Sequence, residues 1–215
     1  NAQFDLLDFS YEKCTGIRSY HPKPVLNIQK VQEAADIINN AKKPYIIFGQ
    51  GIILSQAEEQ LKRLVEKSGI PAAWTILGLS ALPTDHPLNV GMVGMHGNYG
   101  PNVLTNECDV LIALGMRFDD RVTGNLATYA KQAKVIHFEI DPAEVDKNVK
   151  TEVAVLADVK EALTALIPLI DKKSHESWHN EFKEKYKIEL EAVIDEELAP
   201  TNGKGISMGE TIEMI

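Results

Sequence analysis

The sequence predicts an α/β fold, a Rossmann-like parallel sheet with helices on both faces. Three observations carry this. Short, continuous apolar runs recur at Tyr45-Ile46-Ile47-Phe48, Ala72 to Thr75, Asp109 to Leu114, Val135 to Ile140 and Val153 to Leu156. Runs without polar alternation mark strands buried on both faces, as in parallel sheets. Stretches with helical apolar spacing lie between them, and helices interleaved with strands cover such a sheet on both sides.

The elements follow in order. Residues 1–26 mix Gly16, Pro22 and Pro24 with scattered aromatics and hold no period, so an extended connector is expected. From Asn27 to Ala41, Ile28, Val31, Ala34, Ala35 and Ile38 recur at helical spacing, and Pro44 opens the first strand. Ser55 with Glu58 reads as a capping box for a helix carrying Leu61, Leu64 and Val65 and ended by Gly69. A glycine- and methionine-rich loop is expected from Gly91 to Gly100, and the run to Leu114 reads as the central strand. Asp158 is placed to cap a helix bearing Val159, Leu163, Leu166 and Ile167. After Pro168 the composition turns charged, and Trp178, Phe182, Tyr186, Leu190 and Ile194 fall four apart on one helical face that needs a partner surface. Residues 199–206, with Pro200, Gly203 and Gly205, read as a linker, and Met208 to Ile215 as the start of a further helix.

At 215 residues and 44% hydrophobic content, one α/β core plus terminal segments is the expected scale. A net charge of −9 argues against nucleic acid or an anionic membrane as partner, since a phosphate surface would meet a repelling field. Cys14 and Cys108 form no C-x-x-C pair, so neither a disulfide framework nor a metal site is signalled, and a cytoplasmic location is expected. No apolar stretch approaches the roughly 20 residues that span a bilayer. The chain starts at Asn1 without an initiator methionine and stops inside a helix-like pattern, so both ends are expected to be cuts.

Ligands of open parallel sheets bind beyond the carboxyl ends of the strands. Three segments stand there. Gly49-Gln50-Gly51 could let a backbone approach a diphosphate, but Leu54 occupies the third glycine position of the dinucleotide fingerprint, and a plain strand-to-helix turn is the bland alternative. In Gly91-Met92-Val93-Gly94-Met95-His96-Gly97 the glycines could press amides against a flat ligand and methionine could pack on an aromatic ring, or the histidine could simply bond nearby backbone. Gly115-Met116-Arg117-Phe118-Asp119-Asp120-Arg121-Val122-Thr123-Gly124 follows the most hydrophobic strand directly. It is either a solvated loop of ion pairs or a phosphate site, with a guanidinium forking onto oxygens and aspartates orienting it or meeting ribose hydroxyls. Glu139, ending its strand, is a second ribose candidate.

The run R-F-D-D-R-V-T-G over Arg117 to Gly124, with G-M-H-G over Gly94 to Gly97, closely resembles acetohydroxyacid synthase, the thiamine-diphosphate enzyme that begins branched-chain amino-acid synthesis. The likeness extends from the connector to the linker near Gly205. It implies the central, FAD-binding domain over 27–171 of a three-domain transferase subunit. Residues 1–26 would then lead from an N-terminal domain, and 172–215 toward a C-terminal one, with the apolar helical face from Trp178 to Ile194 expected as the link toward it. By this likeness Gly49, Gln50 and Gly51 lie along the FAD, with Thr75, Ile76 and Leu77, then Val93, Gly94, Met95 and His96. Gly115, Met116, Arg117, Phe118 and Asp119 follow, then Glu139, Ile140 and Asp158. Met95, Asp120 and Arg121 match positions lining the substrate channel. Gln50 stands where a small residue is usual and Ala157 where glycine is usual, each adding bulk beside the cofactor.

The resemblance also implies what the chain does not supply. The family's catalytic glutamate and its G-D-G motif for magnesium and thiamine diphosphate belong to the flanking domains, so no catalytic residue and no metal ligand is assigned here and the chain alone is expected to be inactive. Expected partners of the parent are the other domains of the subunit, a homodimer or homotetramer and a regulatory small subunit. The rival reading is a non-catalytic adenine-nucleotide module of another thiamine-diphosphate enzyme. A zinc-dependent NAD deacylase would need four metal-binding cysteines where the chain has two.

Overall fold

A computed structural model describes residues 23–195 and 205–215. Most of the expected connector and most of the expected linker lie outside the described residues. Helix α1 (Ile28–Asn40) starts where the Asn27 side chain accepts from the amides of Gln29 and Lys30 at 3.0 and 3.4 Å, and it buries the stripe Val31, Ala34, Ala35, Ile38. Such a cap is worth about 1 kcal/mol. Ile28 is left exposed. The Asp109 carboxylate accepts from Lys42 and Lys43 amides at 2.7 and 2.8 Å, tying the turn after α1 to the start of the central strand.

Strands β1 (Pro44–Phe48), β2 (Ala72–Trp74), β3 (Asn89–Met92), β4 (Val110–Leu114), β5 (Lys134–Glu139) and β6 (Val153–Leu156) form one sheet in the order β3-β2-β1-β4-β5-β6. Every pairing is parallel. β1 and β4 are buried at every position, as their unbroken apolar runs require. Alternate residues feed two cores. Ile46, Phe48, Ile112, Leu114, Ile136 and Phe138 face α1, α3 (Glu58–Ser68) and α6 (Val159–Leu166). Tyr45, Ile47, Leu111, Ala113 and Val135 face Leu104 of α4 (Tyr99–Leu104) and Trp178 and Phe182 of α7 (Glu176–Glu189). The fold class expected from the sequence is therefore the one observed.

Three local features differ from the sequence reading. Ser55 caps no helix start: it closes the five-residue helix α2 (Gln50–Leu54) with its amide on Gly51 O, and α3 begins after Ala57 with no side-chain cap. A short turn folded back on α2, with Gln56 N on Ile53 O and Ala57 N on Ile52 O, takes the residues the capping pattern would have used. The segment expected to be loop from Gly91 begins as β3, an edge strand with no fully buried residue and a register shift against β2. The partner surface for the Trp178 face is the sheet itself. Trp178 Nε1 donates to Pro44 O at 2.8 Å, and the Phe182 ring lies 5.1 Å from that of Tyr45, while Tyr186 remains exposed. The end of Gly69 as expected terminates α3, in the left-handed conformation at φ 67°.

Candidate cofactor-binding cleft

From β1 the chain runs to β2 on one side of the sheet and later returns to β4 on the other. At such a switch point the loops beyond the strands part and leave a crevice. Their roots touch here. Gly49 N donates to Leu114 O at 3.0 Å and Gly51 N to Gly115 O at 2.9 Å. A Cβ on Gly49 would lie 2.6 Å from Met116 Cβ, and Gly115 has φ +55°. The crossing of the two loops thus demands these glycines before any ligand does.

The next wall is built from Gly94 and Met95. Met95 N donates to Arg121 O at 2.7 Å, and the Asn102 side chain brackets Gly94 by accepting from its amide and donating to its carbonyl, both at 2.9 Å. Gly94 has φ +108°, and a Cβ there would meet Arg121 O at 2.7 Å. The G-M-H-G loop and the R-F-D-D-R-V-T-G loop therefore form one surface.

These loops enclose a cleft of about 970 Å³, the upper end of the roughly 300–1,000 Å³ typical of small-molecule sites. It gathers Gln50 and Gly51, Thr75 to Leu77, Val93 to His96, Gly115 to Arg117 with Asp119, Glu139 with Ile140, and Asp158. Gly49 lies beneath Met116 and does not line it. Phe118 turns into the core, edge-on to Tyr129 and His137. Of the expected channel residues Met95 and Arg121 line the cleft; Asp120 stands outside, its carboxylate 3.9 Å from Arg121 Nε. Gln50 and Ala157, the two positions expected to add bulk, both border the cleft.

The side chains change character across the sheet. Beyond β2 and β3 the walls are exposed apolar groups, Ile76, Leu77 and Met95. Beyond β4 stands Arg117, 68% exposed, its Nε donating to Asp119 Oδ2 at 3.1 Å while Asp119 Oδ1 accepts from Val122 N and so caps the short helix α5 (Asp120–Thr123). An exposed pair of this kind is worth about 0–1 kcal/mol, so the guanidinium is readily exchanged onto another anion.

Beyond β5 and β6 the walls are acidic. Glu139 accepts from Ile140 and Asp141 amides at 2.8 and 3.2 Å, and His137 Nε2 stands 3.6 Å away. Burial pushes the Glu139 carboxyl up, but His137 and those amides outweigh it and hold the group below its ordinary range. Asp158 caps α6 through Lys160 N and takes Lys23 Nζ at 2.7 Å. Burial again raises the carboxyl, but the bond and charge of Lys23 together with the first amides of α6 outweigh it and hold the group below its ordinary range. Lys23, Asp141 and Glu144 border the cleft unforeseen from sequence. Lys23 sits where no period exists, and nothing local could have pointed to it.

The order of walls suits an elongated ligand with an apolar plane at one end, an anionic centre and a ribose toward the other.

Fold and cleft define a doubly wound α/β domain with its ligand crevice at the switch point. The chain belongs to the thiamine pyrophosphate enzyme central-domain family, whose match covers residues 31–166. It is similar to a probable acetolactate synthase large subunit of Methanocaldococcus jannaschii, 40% identical over 194 residues, or 88% of this chain and 33% of that protein. An acetolactate synthase of Mycobacterium bovis is 43% identical over 162 residues, 75% of this chain and 26% of its own length. The acetolactate synthase large subunit of Corynebacterium glutamicum is 39% identical over 161 residues, with 75% and 26% covered. The chain thus spans between a quarter and a third of the length of these relatives.

Proposed function

We propose that this domain holds FAD along the switch-point cleft, as the central domain of an acetolactate synthase large subunit. The observation that carries the reading is the order of chemistries along the carboxyl edge of the sheet: apolar beyond β2 and β3, cationic beyond β4, acidic beyond β5 and β6. Ile76, Leu77 and Met95 would face the flavin ring, Arg117 would fork onto the diphosphate, and Glu139 and Asp158 would meet ribose and adenine groups. When bound, the flavin of this family plays no net redox part in the reaction.

The parent would be a transferase that decarboxylates pyruvate and joins the two-carbon unit to pyruvate or 2-oxobutyrate, with thiamine diphosphate and magnesium held by flanking domains. Other domains of the subunit, a homodimer or homotetramer, a regulatory small subunit and a cytoplasmic location belong to the same proposal. No residue of the sequence matches the family's catalytic glutamate or its magnesium-diphosphate motif, so the chain alone forms no acetolactate from pyruvate. Among the described residues no helix is long and apolar enough to cross a membrane.

The test is a visible spectrum of the purified protein before and after adding FAD, with ADP titrated in parallel by calorimetry. A saturable change in the flavin bands that riboflavin alone does not give supports the reading. Saturable ADP binding with no flavin change would instead favour the plain adenine-nucleotide module.

A further inference from the structure

His137 lies in the middle of β5 between Ile136 and Phe138 and is wholly buried. An apolar residue would be the cheaper occupant, because a buried polar atom without a partner costs free energy. The ring is only half satisfied: Nε2 is 2.8 Å from Met116 O, while Nδ1 has no hydrogen-bond partner among the described residues. A carbonyl oxygen only accepts, so Nε2 carries the proton and Nδ1 is the idle atom.

The satisfied atom points to function. Met116 immediately precedes Arg117, and the same Nε2 stands 3.6 Å from Glu139 Oε2. On the other side of Arg117, Asn148 Nδ2 donates to Phe118 O at 2.7 Å. The two carbonyls flanking Arg117 are thus each held by a side chain from another part of the chain, while the Arg117 side chain stays exposed and pairs with Asp119.

We propose that His137 and Asn148 are positioning residues that clamp the backbone carrying Arg117 and, through His137, set it against the Glu139 carboxylate, so that the cationic and acidic walls of the cleft meet an adenine dinucleotide already in place. The inference rests on the FAD reading for its ligand. A preset site avoids the ordering cost that a loose loop would charge against binding. A histidine kept only for packing would act on stability and not through Arg117.

The test is FAD titration of the full chain and its variants by flavin fluorescence, with thermal unfolding recorded for each. H137L and N148A should weaken FAD binding on the order of tenfold. H137Q should recover most of it, because its amide nitrogen reaches the place of Nε2, whereas H137N, which reaches only the place of Nδ1, should not. In a double-mutant cycle, either change should cost much less in an R117A background. Unchanged affinity in folded H137L and N148A, equal recovery by H137N and H137Q, or full additivity with R117A would overturn the inference. If H137L does not fold, the N148A and R117A cycle decides alone.

Amide hydrogen exchange over residues 115–119 of the free protein separates this inference from the ligand reading. Faster exchange in N148A and H137N but not H137Q supports the clamp even if the unsubstituted chain takes no FAD, which would count against the FAD reading only. Exchange unchanged in all of them would overturn the clamp.

Discussion

A methyl group placed on Gly51 would sit 2.6 Å from the Cα of Gly115. Two backbones from opposite sides of the switch point meet there, and neither can withdraw without pulling β1 from β4, which are paired along their whole length. Gly51→Ala is therefore an overpacking substitution and should cost about 1–3 kcal/mol. Chemical denaturation measures it; a loss under about 0.5 kcal/mol would mean the loops part easily.

Trp178 and Tyr186 lie on one face of α7 but differ in burial, the first 2% and the second 53% exposed. Trp178 bonds Pro44 O, meets the Phe182 ring at 4.9 Å and lies under Lys43. Trp178→Ala should destabilise the domain by about 3–5 kcal/mol, and Tyr186→Ala by about 0.5 kcal/mol or less. Equal losses in urea unfolding would contradict the packing of α7 on the sheet through its first turns.

The strand runs, the central position of β4 and the cap at Asp158 were legible because each is decided locally: an unbroken apolar run buries on both faces, and an aspartate before a helix accepts from its first amides. β3 was not. Asn89 to Met92 is half-buried throughout and holds Gly91 at φ +108°, so it carries no strand pattern and exists only because β2 offers an open edge. Ser55 misled for the opposite reason, since a sound local pattern was displaced by the turn that closes α2.

At the cleft, the segments could be foreseen because they follow strands, but the direction of each side chain could not. Phe118 and Arg117 are neighbours in sequence, one turned into the core beside Tyr129 and the other outward. The alternation is fixed by what lies beneath, and His137 and Asn148, which hold that segment, gave no sign in sequence.

Glu139 links the cleft to pH. Its carboxyl is held below the ordinary range in the folded state, so it contributes stability that is present above the unfolded value, near 4.3, and lost as pH falls through the folded value. Glu139→Gln keeps an acceptor for the Ile140 and Asp141 amides but removes the charge. The stability gap between protein and variant should be constant at neutral pH and shrink below about pH 4.3. A gap that widens on acidification, followed by thermal unfolding across pH, would reverse the assigned direction.

Arg117 is the side chain that decides between a phosphate site and a surface ion pair. Arg117→Ala should weaken FAD binding by about 1.5–3 kcal/mol, roughly ten- to a hundred-fold, and Arg117→Lys should restore only part of that because the planar fork is lost. If the pair with Asp119 is all the residue does, FAD affinity should not move and stability should change by less than about 1 kcal/mol. Fluorescence titration of the three proteins distinguishes these outcomes.

Hydrogen exchange with and without FAD tests the cleft assignment most directly, because it locates the ligand rather than only detecting it. Binding is expected to be weak in this chain, with a dissociation constant on the order of micromolar or looser, so the flavin is supplied in excess. Protection should appear together in residues 49–51, 75–77, 93–96, 115–119 and 139–141, the loops beyond β1 to β5. Protection confined to another surface, or none at saturating FAD, would contradict the cleft as the cofactor site.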